Sequence, residues 1–162
     1  MTVASRSITF FVPGCAITKG SGHAMTSASG KPFVIQNNAR RLRPWQARIA
    51  GCATEAGASD IRADAGEAVQ LDMAYLLKRP ASHLKADGSL KASSPYYPTV
   101  KKADIDKLER SCLDAMTKVL YNDDSQVCRV EHEKTYATRE QTPGVYIKAT
   151  ILPDPRNGGD RG

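Results

Sequence analysis

Residues 99–134 read TVKKADIDKLERSCLDAMTKVLYNDDSQVCRVEHEK, and their pattern sets the expectation for the chain around them. Ile105, Leu108, Cys112, Ala115 or Met116, and Val119 recur at steps of three and four, which keeps apolar side chains on one face of a helix. Lys107, Ser111, Asp114 and Lys118 fall away from that face. Aspartates stand in two tight groups, Asp104 with Asp106 at the helix entrance and Asp123 with Asp124 in the turn after it. Residues 126–134 then read as a strand. Hard divalent cations take oxygen ligands, so two carboxylate groups brought together by a returning helix could hold one. Each aspartate also has a structural reading. Asp106 and Glu109 have capping-box spacing, Asp104 suits the positive end of a helix dipole, Asp106 and Arg110 are an i, i+4 pair, and Asn122-Asp123 is turn chemistry. A helix of about twelve to fifteen residues spans on the order of 20 Å. The two groups therefore meet only if the following strand begins beside the end of the strand before the helix.

Upstream, residues 7–12 alternate with Ile8, Phe10 and Val12 on one face, and Pro13-Gly14 ends this first strand. Residues 15–31 are rich in Gly, Ser and Thr and read as a long loop carrying Lys19, His23 and Lys31, suited to phosphates or simply solvated. Residues 32–35 suggest a short strand. Asn37 or Asn38 can then cap a helix whose core face is Leu42, Trp45, Ile49, Cys52 and Ala56, with Pro44 starting or kinking it and Gly57 stopping it. Arg40, Arg41 and Arg43 crowd its entrance, as DNA contacts or as its wet face. After a polar connection at 59–66, Val69, Leu71, Met73, Tyr75 and Leu77 alternate through another strand.

Residues 79–98 form a second long loop with Lys85 and Lys91. Its Tyr96-Tyr97 pair suits either stacking on exposed bases or pinning the loop to the domain, and His83 reads as a metal ligand, a general base or, as is usual for a lone loop histidine, neither. Val145, Ile147, Ala149 and Ile151 make a final strand after the Thr142-Pro143-Gly144 turn, expected to pair antiparallel with the strand before it. Residues 153–162 read as a disordered tail. The expectation is one α/β (α+β) domain over residues 1–152, a small mixed sheet of four to five strands with two helices packed on it.

Composition narrows the functional classes. A length of 162 residues suits one domain with a real core. Twenty-three Lys and Arg against 17 Asp and Glu give a formal charge of +6, which suits a polyanionic partner. Cys15, Cys52, Cys112 and Cys128 are too far apart for a zinc knuckle and read as reduced thiols. No apolar run approaches the roughly 20 residues that span a bilayer, and the N-terminus lacks a signal-peptide pattern. A cytoplasmic protein with no membrane partner and no organic cofactor is expected.

The line KKADIDKLERSCLDAMTKVLYNDDSQVCRVEHEK resembles the signature of the RusA family of Holliday junction resolvases, in which D-x-D-N-L, a basic residue, D-A-L and D-D-x-Q-V follow in this order. The early strand with Pro-Gly and Lys19, and Arg79-Pro80 through His83, are fainter echoes. The resemblance implies a small RusA-like fold and a homodimeric, Mg²⁺-dependent endonuclease that cuts four-way DNA junctions with paired nicks, of a kind frequent in phages and prophages, with Mn²⁺ a possible substitute. It implies Asp104, Asp106 and Asp124 as metal-binding carboxylates and Asp123 as a supporting ligand. Arg110 stands where relatives usually have a lysine, keeping charge for phosphate but excluding a role that needs deprotonation. Lys107 replaces an asparagine, and KGSGHAM is less arginine-rich than its counterparts.

Lys19, Arg40, Arg41, Arg43, Lys85, Lys91, Lys101 and Lys102 are the expected DNA-backbone contacts. Three alternatives stay open at this level: a metal-dependent nuclease for other branched DNA, a non-catalytic DNA-binding protein of the same fold, and a structural domain whose aspartates only cap and turn.

Overall fold

The computed structural model describes residues 6–157. A four-stranded sheet in the order β1-β6-β4-β5 carries the fold. Its strands are β1 (Ser7–Pro13), β4 (Ala68–Leu77), β5 (Val127–Tyr136) and β6 (Gly144–Leu152). A separate hairpin pairs β2 (Gly22–Thr26) with β3 (Pro32–Gln36). The helices are α1 (Ala39–Glu55), the single turn α2 (Ala58–Ile61) and α3 (Ile105–Met116). This is the small mixed α/β architecture expected, with one short helix more. No helix among the described residues is long and apolar enough to cross a membrane.

Strand alternation builds the core. Phe10 and Val12 of β1, Val69, Leu71, Met73 and Tyr75 of β4, and Val145, Ile147, Ala149 and Ile151 of β6 are buried on one sheet face. Leu42, Trp45, Ile49 and Ala53 of α1 and Leu108, Cys112, Ala115 and Met116 of α3 are buried as well, and most of these side chains form one continuous cluster with the sheet face. Each large apolar side chain so buried stabilises by roughly 1.5–3 kcal/mol. The buried Tyr75 hydroxyl meets sulfur rather than water, 3.4 Å from Cys112 Sγ and 3.3 Å from Met73 Sδ. Leu120 and Tyr121, beyond the helix, are also fully buried. Gly57 ends α1 with φ +94°, which only glycine adopts freely. At Gly144 a side chain would collide with the Val12 carbonyl and the Phe11 ring, so β6 can enter the sheet only there without a Cβ.

Several expectations are corrected. β5 and β6 are not a pair: β6 lies between β1 and β4, antiparallel to both, and β5 runs parallel to β4 at the sheet edge. The physical reason is α3, because a strand, a crossover helix and a returning strand make a parallel unit. The presumed loop at 15–31 contains β2, stabilised by its register with β3, from Gly22 opposite Gln36 to Thr26 opposite Pro32. Asn38 stands at the head of α1 but caps nothing with its side chain. Its amide instead accepts from Gly20 N at 3.2 Å and donates to the Thr18 carbonyl at 2.6 Å. Pro44 lies inside α1 rather than at its start. Ser111, expected on the wet face of α3, is fully buried, because α1 packs there and Gln46 Nε2 donates to the Ser111 carbonyl at 3.3 Å. Pro155–Asn157 form a single 3-10 turn, and residues 158–162 of the expected tail lie outside the described residues.

Candidate active site

The Asp104–Asp106 group sits where a short 3-10 turn, Lys101–Ala103, enters α3. Asp104 takes the N-cap position with φ −59° and ψ 126°, yet its side chain caps no backbone N–H; its Oδ2 lies 3.1 Å from Lys107 Nζ. Asp106 is exposed in the first turn, 3.9 Å from Arg110, and the helix dipole favours a negative charge at this end. The Asp106–Glu109 capping box does not form: Asp104 is the cap residue, and Glu109 reaches across to His132 Nδ1 at 3.0 Å. Lys134 Nζ donates to the Ala103 carbonyl at 2.7 Å, fixing the residue before Asp104 to β5.

The second group is built differently. Asp123 is extended, and its carboxylate accepts from Ser125 N at 2.9 Å; the Ser125 side chain first and this backbone bond second hold its carboxyl below the usual range. Gln126 closes the box. Its Oε1 accepts from Asn122 N at 2.7 Å and Asp123 N at 3.3 Å, and its Nε2 donates to the carbonyls of Asp64 and Glu67 at 2.8 and 3.1 Å. The turn is thereby locked to the connection that precedes β4, and Arg62 adds a 2.6 Å bond to Asn122 Oδ1. Asp124 is exposed and forms no ion pair among the described residues. Burial raises the Tyr121 phenol, and the charge of Asp124 nearby adds to that.

These groups stand at opposite ends of α3. Val127 pairs with Val69 at the start of β4, whereas Lys134 pairs with Tyr75 near its end. Because Ala103 is bound to Lys134 and Gln126 to Asp64 and Glu67, most of α3, whose 12 residues span about 18 Å at ~1.5 Å each, separates Asp104 and Asp106 from Asp124. Among the described residues, no three His, Cys, Asp or Glu side chains are gathered to hold a metal ion. Carboxylate oxygens are the right donors for Mg²⁺ or Mn²⁺, but one chain does not assemble all three.

The cations are distributed with a bias. Lys19 N donates to the Lys107 carbonyl at 2.9 Å, and the Gly20–Asn38 bond continues the link, so the entrance of α1 lies beside the first turns of α3. Arg40, Arg41 and Arg43, exposed and without ion-pair partners among the described residues, therefore share an end of the molecule with Asp104, Asp106 and the exposed Lys101 and Lys102. Lys19 itself is engaged by Asp114 at 2.6 Å and ties the loop to α3. Lys85 is exposed, and Lys91 donates to the Ser82 carbonyl at 2.8 Å within its own loop. Sequence reasoning passed over Gln126 and Lys134. The glutamine was visible inside D-D-x-Q-V, but its backbone partners some 60 residues upstream were not.

A protein-family model described as Endodeoxyribonuclease RusA matches residues 18–150. That span runs from the loop before β2 into β6 and leaves β1 outside. Comparison with curated proteins gives no match.

Proposed function

The chain belongs to the RusA family of endodeoxyribonucleases, and from that membership we propose a structure-specific nuclease that binds four-way DNA junctions and cuts them by paired nicks. The observation that carries this reading is the end of α3, where Asp104 and Asp106 lie among Lys101, Lys102 and the arginines of α1. Cations there would hold the phosphate backbone by charge, giving salt-sensitive affinity that is largely independent of sequence. Arg110 suits a phosphate oxygen and not proton abstraction, since its guanidinium stays charged.

Asp104, Asp106 and Asp124 are the carboxylates we assign to a divalent cation, Mg²⁺ or Mn²⁺. Such a cation supplies a nucleophilic water and offsets charge on the phosphate and leaving oxygen. Asp123, committed to its Ser125 contact, supports the turn that presents Asp124. The separation of the two groups along α3 makes a second copy part of this reading. In a twofold dimer, Asp124 of one copy would complete the Asp104–Asp106 pair of the other, and the symmetry would provide two sites for the two strands of a junction.

The test is cleavage of labelled four-way, three-way, flap and linear DNA in the presence of Mg²⁺. Paired nicks in the four-way junction, with linear duplex left intact, is the expected outcome. Equal cutting of linear duplex would overturn the junction assignment.

A further inference from the structure

Beyond the ends of β4 and β5, the 79–98 loop borders a cavity of about 680 Å³ whose lining includes Lys78, Arg79, Tyr96, Tyr136 and Arg139 and no Asp or Glu. That volume lies within the roughly 300–1,000 Å³ of small-ligand pockets. Arg79 is spent on building the wall: it donates to the carbonyls of Pro95 and Tyr96 at 2.8 and 3.0 Å and lies 4.2 Å over the Tyr136 ring. The loop is thus held at Tyr96, whose side chain nevertheless remains 70% exposed. Tyr97 meets Tyr96 nearly at right angles, so the two rings do not use each other for face-to-face stacking. Lys78 and Arg139 have no carboxylate partner among the described residues, and Arg139 donates one bond to the Asp87 carbonyl at 3.3 Å. Tyr136, only 8% exposed, contributes to the lining beneath the Arg79 guanidinium.

An exposed aromatic ring beside two cations without carboxylate partners, in a lining that itself holds no acid, matches one chemistry: a base with its phosphate. A paired, stacked base cannot present a ring face to Tyr96, whereas an unstacked one can. The cavity also lies close to the proposed site, because Lys134, two residues before Tyr136, holds the carbonyl of Ala103 next to Asp104. We propose that this cavity receives a single unstacked nucleotide of the bound strand, its base on Tyr96 and its phosphate on Lys78 and Arg139. The proposal rests on the nuclease reading only for the ligand being DNA.

The experiment is a fluorescence titration, in metal-free buffer, of the full chain with a short oligothymidine bearing one 2-aminopurine, run beside the junction-cleavage assay. The expected result is quenching by the wild type, binding weakened about 10-fold by Tyr96→Ala as for loss of one base stack, and binding kept by Tyr96→Phe. Wild-type affinity in Tyr96→Ala, or equal loss in both variants, overturns the proposal. Junction cleavage with wild-type affinity in Tyr96→Ala would remove the pocket and leave the nuclease; oligonucleotide binding that follows the Tyr96 ring, without any cleavage, would do the reverse.

Discussion

Lys134 Nζ donates a 2.7 Å hydrogen bond to the carbonyl oxygen of Ala103, and through it the edge strand β5 sets where α3 begins. The lysine is half-buried and spends its charge on a backbone acceptor rather than on a carboxylate, which fixes the residue before Asp104.

Lys134→Met keeps the apolar stem and removes the donor. A hydrogen bond from a charged group stabilises by about 1.5–3 kcal/mol, and partial exposure brings the expected loss to about 1 kcal/mol. Urea denaturation checks that figure. Junction cleavage should fall more than stability does, by about 10-fold, because misplacing the carboxylates costs rate; unchanged cleavage would contradict the positioning role.

Gln126→Leu should destabilise the fold by about 1–3 kcal/mol, since the turn and the Asp64–Glu67 connection both lose partners. Asp123→Asn should cost less, because its amide oxygen can still accept from Ser125 N. Thermal unfolding of the two variants side by side tests the order.

β1, β4, α1, α3 and β6 were legible because their burial follows simple periods of two or 3.6, and the family was legible through the motif spacing around Asp104 and Asp124. Ser111 was not, because its burial depends on α1, whose Gln46 lies 65 residues upstream. β2 was not, because GHAMT carries little apolar alternation and is held by its partner β3. The position of β6 between β1 and β4 was invisible for a related reason: adjacency in sequence favours a hairpin, and only the α3 crossover sends β5 to the far side of β4. The distance between the two aspartate groups follows from that strand order.

Burial pushes the Cys112 thiol up to about 12, against a smaller downward effect of the Tyr75 hydroxyl. It should therefore resist a thiol reagent at pH 8 in the folded chain, while the exposed Cys15 and Cys128 react readily. Time-resolved labelling with peptide mapping reads this directly, and Cys112 should label only after denaturant is added.

Glu67 accepts from Asp64 N at 2.8 Å and pairs with Arg6 at 2.5 Å, and these contacts hold its carboxyl below the usual range, the backbone bond contributing most. A carboxyl depressed by folding stabilises above its unfolded value and loses that stabilisation as pH falls through the folded one. Stability should therefore decline as pH drops through and below about 4. Glu67→Gln should flatten part of that decline, by less than about 1 kcal/mol because both side chains are more than a third exposed. Urea midpoints from pH 6 to pH 3 provide the check.

The central claim is that Asp104 and Asp106 act together with Asp124 although α3 holds them apart within one chain. Asp104→Asn and Asp124→Asn should each lower junction cleavage by about 10²–10³-fold, the scale of losing one electrostatic stabiliser. The most direct measurement mixes these two inactive variants under subunit exchange and assays nicking of a four-way junction with Mg²⁺. A site shared across a dimer leaves one of two sites intact in each mixed dimer, so the account predicts that single-strand nicking returns on mixing. A mixture as inactive as its parents would contradict it.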